Sequence, residues 1–355
     1  MEEKVNLLTE CGVRIKNKIY FCSTYYNVVF SLDMEQKDII LESIIPMEDA
    51  LSDRLSTMQL LIEDKLLFVP MNAKKVWVWE IGTNHWHGID LPDLEGVNNK
   101  FFQAVVMKNI VFMFGCQLPI ILRLNLSDES IKIIKIPFNI HLYKQQQKKY
   151  LRRDYVIIDN YIYMASCFDN CVMRFDYDDE SVELLKVGKD NYRYAGIAFD
   201  GNNFWLTLEY EARVIRCDKE LNIIEEVILD EENDEIIAIN GIEILSDNTI
   251  FVESRFGMSY LIHYEKNMLV DKVDKTFMYM SKENEYEYFF EKNGVFTVKK
   301  GNKKEIFDVS VKRRVLYKFL KKSFTQKFNQ KENSMFRLDD YLTVLDLMED
   351  RVGKA

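Results

Sequence analysis

Seven residues between positions 152 and 255 carry side chains suited to polar ligand chemistry: Arg152, Arg193, Tyr194, Glu209, Arg213, Glu253 and Arg255. Several recur in register. Arg152, Arg193 and Asn240 stand 11 or 12 residues before the aromatics Tyr163, Trp205 and Phe251, and Glu209 and Arg255 stand four residues after the last two. Guanidinium forks grip carboxylates and phosphates. A pair of glutamates can supply an acid and a base, as in glycoside cleavage. These residues therefore define a candidate pocket for a sugar or another small polar ligand. The competing reading is that they are salt bridges between structural repeats on a solvated rim, a common fate of charges on loops.

Other chemistries find less support. Of the four histidines, only His85 and His87 are close in sequence, with Asp90 nearby, and no third ligand follows at zinc spacing. Cys167 and Cys171, with Asp169 between them, are no stronger as a metal site. The chain has no G-x-S-x-G elbow and no Cys–His signature. It also lacks Walker and G-x-G-x-x-G loops. No catalytic residue, metal or cofactor is expected.

The elements that must position the candidate residues are repeats. Seven apolar–aromatic–apolar triplets are centred on Tyr20, Phe68, Phe112, Tyr163, Trp205, Phe251 and Phe296, at spacings of 48, 44, 51, 42, 46 and 45 residues. Each follows a short polar turn such as Asn17-Lys18, Asp159-Asn160 or Gly201-Asn202-Asn203. Asn, Asp and Gly tolerate the left-handed backbone of tight hairpins, so each triplet reads as the second strand of a hairpin. A third strand follows and ends on a polar residue, as in Val172–Asp176 and Val214–Asp218, and then a fourth apolar segment. Four strands every 45 residues or so is the period of a propeller blade. Runs such as Ile110-Val111-Phe112-Met113-Phe114 fit strands buried on both faces between blades.

The fold expected is all-β: a seven-bladed β-propeller over residues 1–310 with a short C-terminal helical extension over 311–355. In the seventh blade the strands read as Tyr286–Phe290, Val295–Val298 and Glu305–Val309, with Val5-Asn6-Leu7-Leu8 lent by the other terminus to close the ring. Beyond residue 311 the period becomes helical. Val315, Leu316, Phe319, Leu320, Phe324 and Phe328 share one face, with lysines mostly off it. A second, acidic helix is expected to start near Asp339 or Asp340.

The signatures of WD40 (Gly-His, Trp-Asp) and kelch (double Gly) repeats are absent. Gly196-Ile197-Ala198-Phe199-Asp200-Gly201-Asn202-Asn203-Phe204-Trp205-Leu206 resembles a motif of an uncharacterised family of bacterial β-propeller proteins. Lys65-Leu66-Leu67-Phe68-Val69-Pro70, followed by Val76-Trp77-Val78-Trp79, resembles that family's second blade. The resemblance implies the fold over roughly residues 10–310 and no activity.

Charge bounds the partners. The net charge is −10, yet residues 299–331 carry +10, which leaves −20 on the rest. An acidic body argues against nucleic acid, whose phosphates demand a basic footprint. The basic stretch 141–153 either grips an acidic partner or is a solvated excursion, and the stripe of residues 311–328 either packs against the propeller's side or is left in part for another chain or peripheral contact with an anionic membrane. Six scattered cysteines without a C-x-x-C pair suggest free thiols in a cytoplasmic protein. The reading that follows is a non-enzymatic interaction protein presenting a loop face to a protein or peptide. The alternative is a carbohydrate-binding or carbohydrate-active propeller using the charged pocket.

Overall fold

The computed structural model describes residues 4–49, 53–92, 94, 97–139, 149–230, 239–245, 248–254, 258–264, 268–273, 277–283, 285–301 and 303–328. Seven antiparallel four-stranded sheets follow one another along the chain, each with its strands in sequence order. Blade four, for example, runs through Leu151–Ile158, Tyr161–Ser166, Cys171–Asp176 and Val182–Lys186. Burial peaks at the second and third strands of each blade and falls towards the outermost strand. Second strands such as Phe204–Leu208 and Thr249–Ser254 are buried at every position, whereas fourth strands such as Ile131–Lys135 are mostly exposed. This gradient is why the inner strands read as continuous apolar runs and not as alternation.

The turns are built from local polar chemistry. In blade five, Asp200 Oδ1 accepts from the amides of Asn202 and Asn203, and its Oδ2 accepts from Trp205 Nε1 at 2.7 Å. Gly201 between them has φ +98°, a conformation suited to glycine. Asp159 and Asn248 take the left-handed backbone in blades four and six, as their residue types suggest. In blades one to three it is taken instead by Lys16, Glu63 and Lys108, each just before the Asn or Asp singled out from sequence.

All seven triplet aromatics are buried, but two are not at the equivalent place. In blades one to five, the amide just past the second strand donates to the carbonyl just before the first strand: Thr24 to Leu8, Met71 to Leu55, Cys116 to Lys100, Cys167 to Tyr150 and Glu209 to Arg193. Four residues before these donors stand Tyr20, Leu67, Phe112, Tyr163 and Trp205. The matching positions in blades six and seven are Phe251 and Tyr288. Each of these seven side chains packs against the following blade. Phe68 is one residue off and packs back against blade one, because a one-residue shift moves a side chain to the other face. Phe296 lies on a third strand, Val295–Lys300.

The closure expected from sequence is corrected accordingly. Blade seven has four strands of its own: Phe277–Glu283, Tyr286–Glu291, Val295–Lys300 and Lys303–Asp308. Lys4–Asn6 joins none of them. It pairs with Ser310–Lys312 in a separate two-stranded ribbon, with Val5 opposite Val311. Both ends of the ring are thereby tied together, and Leu7 and Val309 are fully buried beside the ribbon.

Helix Arg313–Phe328 follows the ribbon directly. Its Leu316 and Leu320 are buried, and Phe319 partly so, in the core formed by blades one and seven. Arg314, Lys318, Lys321 and Lys322 are exposed. The described part of the apolar stripe thus covers the propeller's own seam, leaving Val315 about half exposed. The expected second helix lies outside the described residues. No helix among the described residues is long and apolar enough to cross a membrane.

The chain direction defines two rims. One holds the loops between second and third strands and the links between blades, here the loop face. The other holds the remaining hairpin turns, here the turn face.

Candidate functional site

A bulge near the loop face interrupts the first strand in blades two to seven. In five of them the bulge holds one extra residue. In blade four the pairing jumps from Leu151↔Ser166 to Tyr155↔Met164, which accommodates two. The surplus pushes Arg152, Arg153 and Asp154 out of the ladder. Bulges re-aim side chains in this way.

Arg153 reaches past blade five to blade six. Its Nη2 lies 2.9 Å from Glu253 Oε2, and its Nε lies 3.6 Å from Asp154 Oδ1. Asn240 Nδ2 donates to the other Glu253 oxygen at 2.9 Å. Gln103 of blade three donates to the Arg153 carbonyl at 2.7 Å. Asp154 Oδ2 accepts from the Ile242 amide at 2.7 Å. That carboxylate lies where glycines leave room. A Cβ at Gly196 would sit 2.5 Å from Asp154 Oδ2, and one at Gly241 2.9 Å from it. On the opposite flank, Arg54 Nε stands 2.8 Å from Glu10 Oε1.

Burial pushes the Asp154 carboxyl up to about 6, and the Arg153 charge offsets only part of the rise. Burial likewise raises Glu10 against the pull of Arg54 and Arg153. Arg153 is held firmly charged: the carboxylates of Glu253, Asp154 and Glu10 outweigh its desolvation. Buried ion pairs gain little net stability, but removing one partner is costly. The cluster is therefore a rigid polar floor that ties non-neighbouring blades across the axis.

The structure brings some of the sequence-predicted residues together and separates others. Arg152 Nη2 pairs with Glu209 Oε1, linking blades four and five. Glu253 belongs to the floor. Arg193 caps the chain, donating to the carbonyls of Asp190 at 2.9 Å and Tyr192 at 2.5 Å. It stands two positions before the place of Arg152 and Asn240, matching Tyr150 instead. Tyr194 is fully buried between blades four and five, and its hydroxyl donates to the Val187 carbonyl. Arg213 joins Glu226 of the outermost strand at 2.6 Å, and Tyr192 donates to the same carboxylate at 2.8 Å. Arg255 lies outside the described residues. Most of the described pocket candidates are thus engaged by neighbouring groups, as in the salt-bridge reading. His87, the metal candidate, pairs with Glu129 at 2.7 Å.

The pocket candidates read from sequence included none of Arg153, Asp154, Glu10, Arg54 and Gln103. The available signal was Arg152-Arg153-Asp154, three charges opening an otherwise apolar strand.

A second feature of the loop face is apolar. Among the described residues, the exposed large hydrophobics outside strands and helix are Met47, Tyr210 and Met258, with exposures of 67%, 58% and 41%. Met47 lies in the link between blades one and two. Tyr210 and Met258 lie in the second-to-third-strand loops of blades five and six. All three are on the same rim.

Comparison with known proteins places the fold. No family model and no curated protein sequence matches the chain. Among solved structures it is similar to virginiamycin B lyase from Staphylococcus aureus, with a TM-score of 0.63 and 13% identity over 82% of this chain and 96% of that one. It is also similar to BamB from Moraxella catarrhalis, with a TM-score of 0.58 and 12% identity over 83% and 85%. The RRP9 WD40 repeats give a TM-score of 0.55 at 9% identity, over 81% and 89%. The chain is a β-propeller. At these identities the likeness extends to the fold alone.

Proposed function

We propose that the protein is a non-enzymatic scaffold whose loop face docks a protein or peptide partner. The observation that carries this reading is the placement of Met47, Tyr210 and Met258 on one rim, around a floor of fixed charges. Tyrosine and methionine are enriched at protein interfaces, and a thioether adapts to varied partner surfaces. The fold serves a lyase as readily as a scaffold, so the residues must decide. Here the carboxylates of Glu209 and Glu253 are each paired with an arginine, which favours a positioning role over acid–base work. Arg152, Arg193, Glu209 and Arg213 then form the polar rim around the apolar contacts. The six cysteines form no disulfide, which supports a cytoplasmic setting.

The test replaces Tyr210 and Met258 with alanine, singly and together, and measures recovery of the partner captured by the wild-type chain. Loss of a central anchor costs about 2 kcal/mol or more, roughly 30-fold in affinity, while the melting temperature should hold. A glycan array run on the same proteins addresses the alternative. Sugar binding that depends on Glu209 and survives loss of Tyr210 would replace the scaffold reading with a carbohydrate-binding one.

A further inference from the structure

The turn face carries a separate feature at the seam of blades seven and one. A groove of about 850 Å³ opens there, lined by Arg14, Lys16, Asn17, Tyr286, Lys300 and Lys303, with Met34, Glu35, Val298 and Glu305. Its size is that of a small-molecule site. Its chemistry is unusual for this acidic chain, because four cations face two carboxylates. The Arg14 guanidinium lies 3.8 Å from the centroid of the Tyr286 ring, and Lys300 Nζ lies 5.0 Å from the same centroid. Arg14 also donates from Nε to the Lys16 carbonyl at 3.2 Å, which fixes the guanidinium at the groove wall. Lys300 is partly neutralised by Glu285. Lys16 and Lys303 are exposed, and no carboxylate among the described residues pairs with either. The two cations on Tyr286 hold its phenol below the usual tyrosine range, a sign of positive potential in the groove.

The geometry points to a binding site for a phosphorylated polyol, such as a sugar phosphate. Arg14, Lys16 and Lys303 supply the oxyanion contacts, as guanidinium and ammonium groups do for phosphate. A bare anion would leave Glu35 and Glu305 facing it at a cost. A ligand that also bears hydroxyls uses those carboxylates as acceptors, with Asn17 as a further polar partner. The wall is preformed, since it rests on two adjacent sheets.

The test is calorimetric titration of the full chain with glucose 6-phosphate, glucose and inorganic phosphate at physiological salt. The site binds the ester at least tenfold more tightly than either fragment. Lys303→Glu and Lys16→Glu each lower that affinity at least tenfold without moving the melting temperature. Lys108→Glu, an exposed change on the turn face of blade three, leaves it unchanged. The proposal is overturned by no saturable binding of the ester, by inorganic phosphate binding as tightly as the ester, or by an equal loss in Lys108→Glu. Binding of anionic lipid vesicles without binding of the ester would overturn it too, by assigning the cations to a membrane surface.

Discussion

At the scale of residues, the buried floor makes stability depend on pH through Asp154. An aspartate in an unfolded chain titrates near 3.9, whereas in the fold burial moves Asp154 to about 6. Between these values the folded protein holds a proton that the unfolded chain has released. The contribution is complete below about pH 4 and is lost as pH rises through about 6. Its size is up to ~3 kcal/mol for a shift of two units, and Glu10 acts in the same direction. Asp154→Asn keeps an acceptor for the Ile242 amide but does not titrate. Urea melts from pH 4 to 7 should show a shallower slope for the variant than for the wild type; identical slopes would place the proton elsewhere. The charges Arg152-Arg153-Asp154 were visible in sequence, but their partners were not. Arg153 and Glu253 are 100 residues apart, and they meet only because blade four carries one more bulge residue than its neighbours. The glycines that make room, Gly196 and Gly241, look in sequence like ordinary strand residues.

At the scale of elements, the blade period was legible and the register was not fully so. The period survives because every second strand sits between two blades and must be apolar. The same double burial removes the alternation that would have told Leu67 from Phe68. Blade seven was misread for a related reason. Tyr286–Glu291 holds four aromatics, whereas Val295-Phe296-Thr297 follows the turn Asn293-Gly294 with a single central aromatic, so the third strand imitates the second strands of the other blades. Trp205 illustrates the position that the period does mark. It is fully buried against blade six, donates to Asp200, and lies under the Arg216 guanidinium at 5.3 Å. Trp205→Ala should cost about 3–5 kcal/mol, the range for core aromatics. Chemical denaturation measures it, and a loss below about 1 kcal/mol would mean that the inter-blade core repacks freely.

At the scale of the whole molecule, closure leaves two rims with different chemistry. The ribbon of Lys4–Asn6 with Ser310–Lys312 and the helix behind it seal the seam of blades seven and one. The basic helix, whose stripe in sequence suited either the propeller's side or a membrane or partner contact, places Leu316 and Leu320 in that seal. The loop face is left with the exposed loop residues Met47, Tyr210 and Met258, and the turn face with the cationic groove. The most direct measurement uses a photo-crosslinking amino acid placed at position 210 on the loop face, or at position 108 on the turn face, in cells that express the full chain. The scaffold account expects a discrete protein adduct from position 210, lost when Met258 is also changed to alanine, and none of the same mass from position 108. Adducts from position 108 alone, or the same adducts from both positions, would contradict the assignment of the loop face as the docking surface.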